Sequence, residues 1–165
     1  MQGIDKYLRL YKAIGYTFNN EALLEQALTH RSAAKQHNER LEFLGDAILG
    51  MIIGETLFKR FPTVPEGKLT RMRSTLVKGD TLAELAKEAS VGELLNLGPG
   101  ELKSGGHRRS SILADAVEAI LGAIYLDSGM DEVRGVIDRL WESRINQLDP
   151  NAHPKDSKTR LQEFL

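Results

Sequence analysis

Three observations predict an all-α fold for this 165-residue chain. Apolar residues recur at helical spacing from Ile4 to Ile145, without the strict alternation of a half-buried strand. Proline, glycine and capping-type residues fall between the periodic stretches, where helices stop and start. One stretch, 110–127, is apolar almost all round, as a helix is when it lies near the centre of a molecule, and a second, 38–61, carries an uncharged apolar run from Ala47 to Ile53.

Taken in order, residues 4–14 place Ile4, Tyr7, Leu8, Tyr11 and Ile14 on one face and stop at Gly15. Asn19 or Asn20 can cap a second helix through Leu23, Leu24, Ala27 and Leu28. His30 follows; with no second histidine at ligand spacing, it reads as a hydrogen-bonded structural residue. The third helix runs from about Asn38 to Phe61, ended by Pro62 and Pro65. Glu66 suits the first turn of a fourth helix, where an acid complements the helix dipole. Gly79 and Asp80 mark a break, with Asp80 as cap of a fifth helix. Residues 91–106 are turn-rich and read as a loop holding a short helical piece. Ser110 or Ser111 caps the central helix, and Ser128 or Asp131 opens the last, which runs through Trp141 to Ile145.

Composition narrows the function. A hydrophobic content of 41% with 27% charged residues fits a single globular domain able to bury a core. The absence of cysteine excludes disulfides and thiolate metal sites. The first residues, Met1-Gln2-Gly3-Ile4-Asp5-Lys6, lack the apolar region of a secretory signal. The apolar run 47–53 is too short to span a bilayer, so a cytoplasmic location is expected. Net charge is −1, but the bases gather at 68–78 and 103–109 and the acids at 39–46 and 115–118. A near-neutral total of this kind can conceal a basic track beside an acidic site.

The acids carry the chemistry. At about 3.6 residues per turn, Glu39, Glu42 and Asp46 share a helix face, where like charges repel. From Ala47 to Ile53 no charge follows, so the stripe is not an ordinary solvated face. The central helix carries a matching notch, Asp115 and Glu118. Each notch is followed four residues later by glycine, Gly50 and Gly122, which would let the two helices approach closely. Four buried carboxylates facing one another need cations. Oxygen donors without cysteine or histidine favour Mg²⁺ or Mn²⁺. A di-iron bundle would need Glu-x-x-His pairs, which are missing. Such a centre can activate water and stabilise charge on a phosphoryl group, with one metal or two.

Asn38-Glu39-Arg40-Leu41-Glu42-Phe43-Leu44-Gly45-Asp46 closely resembles the signature of the ribonuclease III family. The likeness extends through residues 27–32, 65–77 and 111–119, in the family's order. It implies the family's helical endonuclease fold, a homodimer, and Mg²⁺-dependent hydrolysis of double-stranded RNA to 5′-phosphate and 3′-hydroxyl ends, in rRNA and mRNA processing. It also implies that Glu42, Asp46, Asp115 and Glu118 are the catalytic metal ligands, with Mn²⁺ able to replace Mg²⁺. Glu39 and Glu66 match the accessory acids, and Phe43 the aromatic that plugs into the partner subunit. Periodicity turns Phe43 about 100° from Glu42, away from the acidic stripe. Ala47 stands where the family often has serine, outside the ligand positions. A non-catalytic RNA-binding scaffold on the same fold would be expected to lose some of these acids; all six are present.

Lys68, Arg71, Arg73, Lys103, Arg108 and Arg109 are the candidate RNA contacts, positioning the duplex by phosphate and A-form shape. Residues 1–148 form the expected catalytic domain. Residues 149–154 resemble a linker and 155–165 the first helix of a double-stranded RNA-binding domain, truncated by the end of the sequence.

Overall fold

The computed structural model describes residues 2–151. Among them are eight α-helices: α1 Gln2–Ile14, α2 Glu21–Ala27, α3 Glu39–Arg60, α4 Glu66–Val77, α5 Gly79–Glu88, α6 Pro99–Lys103, α7 Ser110–Ser128 and α8 Met130–Asn146. Two 3₁₀ turns, Val91–Leu94 and Gly106–Arg108, flank α6. The described residues contain no strand, only an isolated parallel bridge between Thr29 and Asn96. The proposed RNA-binding-domain helix falls in 155–165, outside the described residues.

The centre is α7, as its apolar sequence, broken only by Asp115 and Glu118 before its last turn, requires: residues 112–114 and 116–124 are all buried. Around it pack α2, α3, α5 and α8. Burial of its Leu, Ile and Val side chains stabilises the domain by about 1.5–3 kcal/mol for each one fully removed from water. Trp141 of α8 is fully buried, and its indole N–H donates to the Leu76 carbonyl at 2.8 Å. That bond satisfies an orphan carbonyl at the end of α4. The opening helix is fastened through the segment that follows it. Tyr11 donates to Glu21 at 2.6 Å, and the Tyr16 hydroxyl bonds Asp127 and Ser128 at the end of α7.

The helix boundaries differ from expectation in small ways with local causes. Asn20 caps α2, its side chain accepting from the Ala22 N–H at 3.1 Å. Asn38 precedes α3 but turns its side chain backwards, donating to the Ala27 carbonyl at 3.0 Å and tying α3 to α2. The break between α4 and α5 is the extended residue Lys78, and Asp80 lies in the first turn of α5 rather than capping it. Thr81 secures the corner instead, donating to the Thr75 carbonyl at 2.8 Å. Arg109, not a serine, precedes α7. Gly129, with φ 92°, makes the junction to α8, a conformation that side-chain-bearing residues avoid.

The close approach of α3 to α7 depends on a different glycine from the one expected. A Cβ on Gly50 would meet nothing within 4 Å. A Cβ on Gly45 would fall 1.7 Å from the Glu118 carbonyl oxygen, and one on Gly122 would fall 2.4 Å from the Leu41 oxygen. Gly45 and Gly122 therefore form the crossing, and Gly45 lies between Glu42 and Asp46. The reason is angular: Gly45 belongs to the buried stripe with Leu41, Ile48, Leu49 and Ile52.

Candidate metal centre and its cleft

Because Gly45 sits between Glu42 and Asp46 and Gly122 one turn after Glu118, the two notches are brought face to face. One carboxylate oxygen from each of Glu42, Asp115 and Glu118 lies within 4.8 Å of the others. Asp46 adjoins Glu118 from the solvent side. The expectation of four buried carboxylates needs correction. Only Glu118 is buried, at 9% exposure; Glu42 and Asp115 are half-buried and Asp46 is exposed. The difference follows from position. Glu118 belongs to the core helix, whereas Asp46 lies on the outer edge of the α3 stripe.

The site's electrostatics are those of acids lacking a counter-charge. Burial, together with the Asp46 carboxylate, pushes Glu118 up to about 9. Burial and Asp115 push Glu42 up to about 7. Asp115 is also raised by burial, although the hydrogen bond from Glu42 opposes the shift. In a metal-free site, protons on Glu118 and Glu42 would bridge to Asp46 and Asp115. Among the described residues no lysine or arginine pairs with any of these four acids. The donor set is all oxygen, convergent and under-neutralised, which suits a hard divalent cation.

The acids line a cleft of about 760 Å³ that also includes His30, Arg31, Glu39, Phe43, Glu101 and Arg109. Glu39 stands at its edge and meets Arg31 at 3.7 Å. Phe43 is 80% exposed, as a subunit contact would be, but it does not point away from the site. It borders the same cleft, because it lies four residues after Glu39 and so only about 40° from it. Glu66 is exposed at the start of α4 and does not line the cleft.

The candidate RNA contacts separate. Arg109 reaches the cleft and is held there by Glu101 at 2.8 Å. Arg108 lines another recess, with Lys87, Ser90 and His107. Lys103 is exposed on α6, and Arg71 and Arg73 are exposed on α4, where Lys68 is half-buried. His30 is hydrogen-bonded, as expected, and also lines the cleft. Glu101 was not foreseen: it sits among turn residues, where no periodicity reports which way a side chain points.

Residues 20–144 match the family described as Ribonuclease-III-like. The chain is 58% identical, over all of its length and 73% of the relative's, to Ribonuclease 3 of Shewanella amazonensis. It is 59% identical to Ribonuclease 3 of Photorhabdus laumondii, over 95% of this chain and 70% of that one. Among solved structures, the nuclease domain of ribonuclease III from Campylobacter jejuni superposes with a TM-score of 0.82 at 39% identity, covering 90% of this chain and all of that one. A Dicer from Pichia stipitis is more distant, with a TM-score of 0.64 at 28% identity over 79% of this chain and 58% of that one. The chain belongs to the ribonuclease III family of metal-dependent endoribonucleases that cleave double-stranded RNA.

Proposed function

We propose that the cleft between α3 and α7 is the catalytic centre, that Glu42, Asp46, Asp115 and Glu118 hold its metal, and that Mg²⁺ is the natural ion with Mn²⁺ an effective substitute. One observation carries this reading: acids from two apolar helices converge within 4.8 Å, and among the described residues no lysine or arginine pairs with them. A divalent ion held there supplies water activation and stabilises charge on the departing oxygen. Glu118 anchors the set from the core, where its rotamer is restrained by packing. Glu42 and Asp115 bring carboxylate oxygens from opposite helices, and Asp46 completes the set on the open side, where substrate arrives. Attack of the water oxygen on phosphorus breaks the bond to the 3′ oxygen, leaving 5′-phosphate and 3′-hydroxyl ends.

The same reading extends to assembly and place. Phe43, Met51 and Phe58 are 80%, 50% and 70% exposed. At about 100° per residue they fall within an arc of roughly 80° on the outer face of α3. Unpaired apolar surface of this kind marks an interface, and we assign it to a second copy of the chain. A related C. jejuni structure is described as having a region involved in dimer formation, which supports a homodimer here. Arg109, with Lys68, Arg71, Arg73, Lys103 and Arg108, would position duplex RNA through its phosphates, and Glu39 and Glu66 would act as accessory acids. On this reading residues 1–148 are the catalytic domain, and 149–165 a linker and the first helix of a double-stranded RNA-binding domain. No helix of the described residues is long and apolar enough to cross a membrane, in keeping with a cytoplasmic enzyme that processes rRNA and mRNA.

Replacing Glu118 by Gln tests the centre with least change of shape. Cleavage of duplex RNA in Mg²⁺ is expected to fall by at least about a thousandfold, with the circular-dichroism spectrum unchanged. Parental cleavage by this variant would overturn the assignment.

A further inference from the structure

His30 lies in the turn between α2 and α3, and its main chain is fixed from outside that turn. Its N–H donates to the Asn96 carbonyl at 3.0 Å, beside the bridge between Thr29 and Asn96. The ring is fixed too. The Ser32 backbone N–H lies 3.1 Å from His30 Nδ1, and Ser32 Oγ lies 2.8 Å from the same atom. A backbone N–H can only donate, so Nδ1 is an acceptor and carries no hydrogen. Ser32 Oγ in turn accepts the Gly98 N–H at 2.9 Å, leaving its own hydrogen to point at Nδ1. Both donors select one tautomer, a neutral imidazole with its hydrogen on Nε2.

That hydrogen has no acceptor among the described residues. Nδ1 faces back into the turn, so Nε2 lies on the opposite edge of a ring that lines the carboxylate cleft. Among the described residues Nε2 makes no hydrogen bond; both bonds of the ring are on Nδ1. A protonated Nε2 cannot ligate a metal, in keeping with a convergent set made only of carboxylates. An anionic phosphodiester approaching this cleft meets acids that repel it, so it needs donors. The two arginines that line the cleft, Arg31 and Arg109, are already paired with Glu39 and Glu101. The Nε2–H of His30 is bonded to no carboxylate among the described residues.

We infer that His30 binds substrate: its Nε2–H donates to a nonbridging oxygen of the RNA backbone within the cleft. The inference rests on that cleft being the catalytic centre. The test compares duplex-RNA cleavage by the full chain and its His30→Ala, His30→Gln and Glu118→Gln variants, with Mn²⁺ binding to the RNA-free proteins measured by calorimetry. His30→Ala is expected to lower kcat/KM by about tenfold or more, mainly through KM. His30→Gln, which keeps a neutral N–H donor, is expected to recover most of that loss. Mn²⁺ affinity is expected to stay within about twofold of the parent in both His30 variants. Parental kcat/KM in His30→Ala would overturn the inference, as would failure of the Gln variant to recover activity. A parallel loss of Mn²⁺ affinity would also overturn it, by making His30 a support for the acids. Parental cleavage by Glu118→Gln would remove the catalytic assignment itself, whereas parental cleavage by His30→Ala alone would leave that assignment standing.

Discussion

Glu118 lies at 9% exposure on the most apolar helix of the molecule, and its acidity reflects that position. Its carboxyl is raised from 4.5 to about 9 and that of Glu42 from 4.5 to about 7, so between those values the folded protein holds protons that the unfolded chain releases. Stability of the metal-free protein is therefore expected to fall as pH rises from about 4.5 towards 9. A divalent cation replaces those protons, so its stabilising effect must grow over the same range. Thermal unfolding in EDTA and in Mg²⁺ at pH 5, 7 and 9 measures both. The melting temperature is expected to fall with pH in EDTA, and the increment given by Mg²⁺ to increase. An increment independent of pH would contradict the arrangement. At this scale the sequence was legible where spacing fixes direction: acids three, four and seven residues apart fall on one helix face. It did not report burial, because the outer edge of an acidic stripe and its inner edge have the same periodicity. That is why Asp46 was expected inside and stands outside.

Between elements, the crossing of α3 and α7 decides whether the site exists. The glycines at the contact act by having no side chain, not by adopting a special backbone. A Cβ at position 45 would overlap the Glu118 carbonyl oxygen, and relief would require the two helices to separate, spreading the acids they carry. Gly45→Ala is expected to destabilise the domain by about 3 kcal/mol or more, as overpacking against rigid backbone does. Gly50→Ala is the control: it meets nothing and should stabilise by roughly 0.5–1 kcal/mol through helix propensity. Urea denaturation of the two variants checks the contrast; similar midpoints would show that the crossing is not held by Gly45. The signal for the right glycine was present in the sequence. Gly45 shares the period of Leu41, Ile48, Leu49 and Ile52, whereas Gly50 sits off that buried stripe. Sequence distance from the acids suggested Gly50, but helix phase selects Gly45. Segment 91–109 was opaque for a different reason. Its helical pieces are three to five residues long, too short for any hydrophobic period, and the Glu101–Arg109 pair that borders the cleft is made across turns.

At the scale of the whole molecule, α3 is loaded on both faces, and this accounts for the uncharged run after Asp46. Ile48, Leu49, Ile52 and Ile53 face the core, while Ala47 and Met51 face outwards. An outer face of this kind has no use in a free monomer. From Phe43 to Phe58 it extends roughly 22 Å along the helix, at 1.5 Å per residue, with an exposed aromatic at each end. The Phe43 end adjoins the catalytic cleft and the Phe58 end lies beyond it, so the two positions can be separated experimentally. Introducing glutamate at Phe58 places a charge on the face without touching the site. It is expected to shift the protein from dimer to monomer, with a loss of about 2 kcal/mol or more in association, measured by analytical ultracentrifugation. Phe43→Glu should produce the same dissociation and in addition reduce cleavage per folded chain, because it also adds an acid to the cleft rim. If Phe58→Glu remains dimeric while Phe43→Glu dissociates, the interface is confined to the cleft end of α3. If both remain dimeric, this face is not the subunit interface and the exposed aromatics must serve another partner.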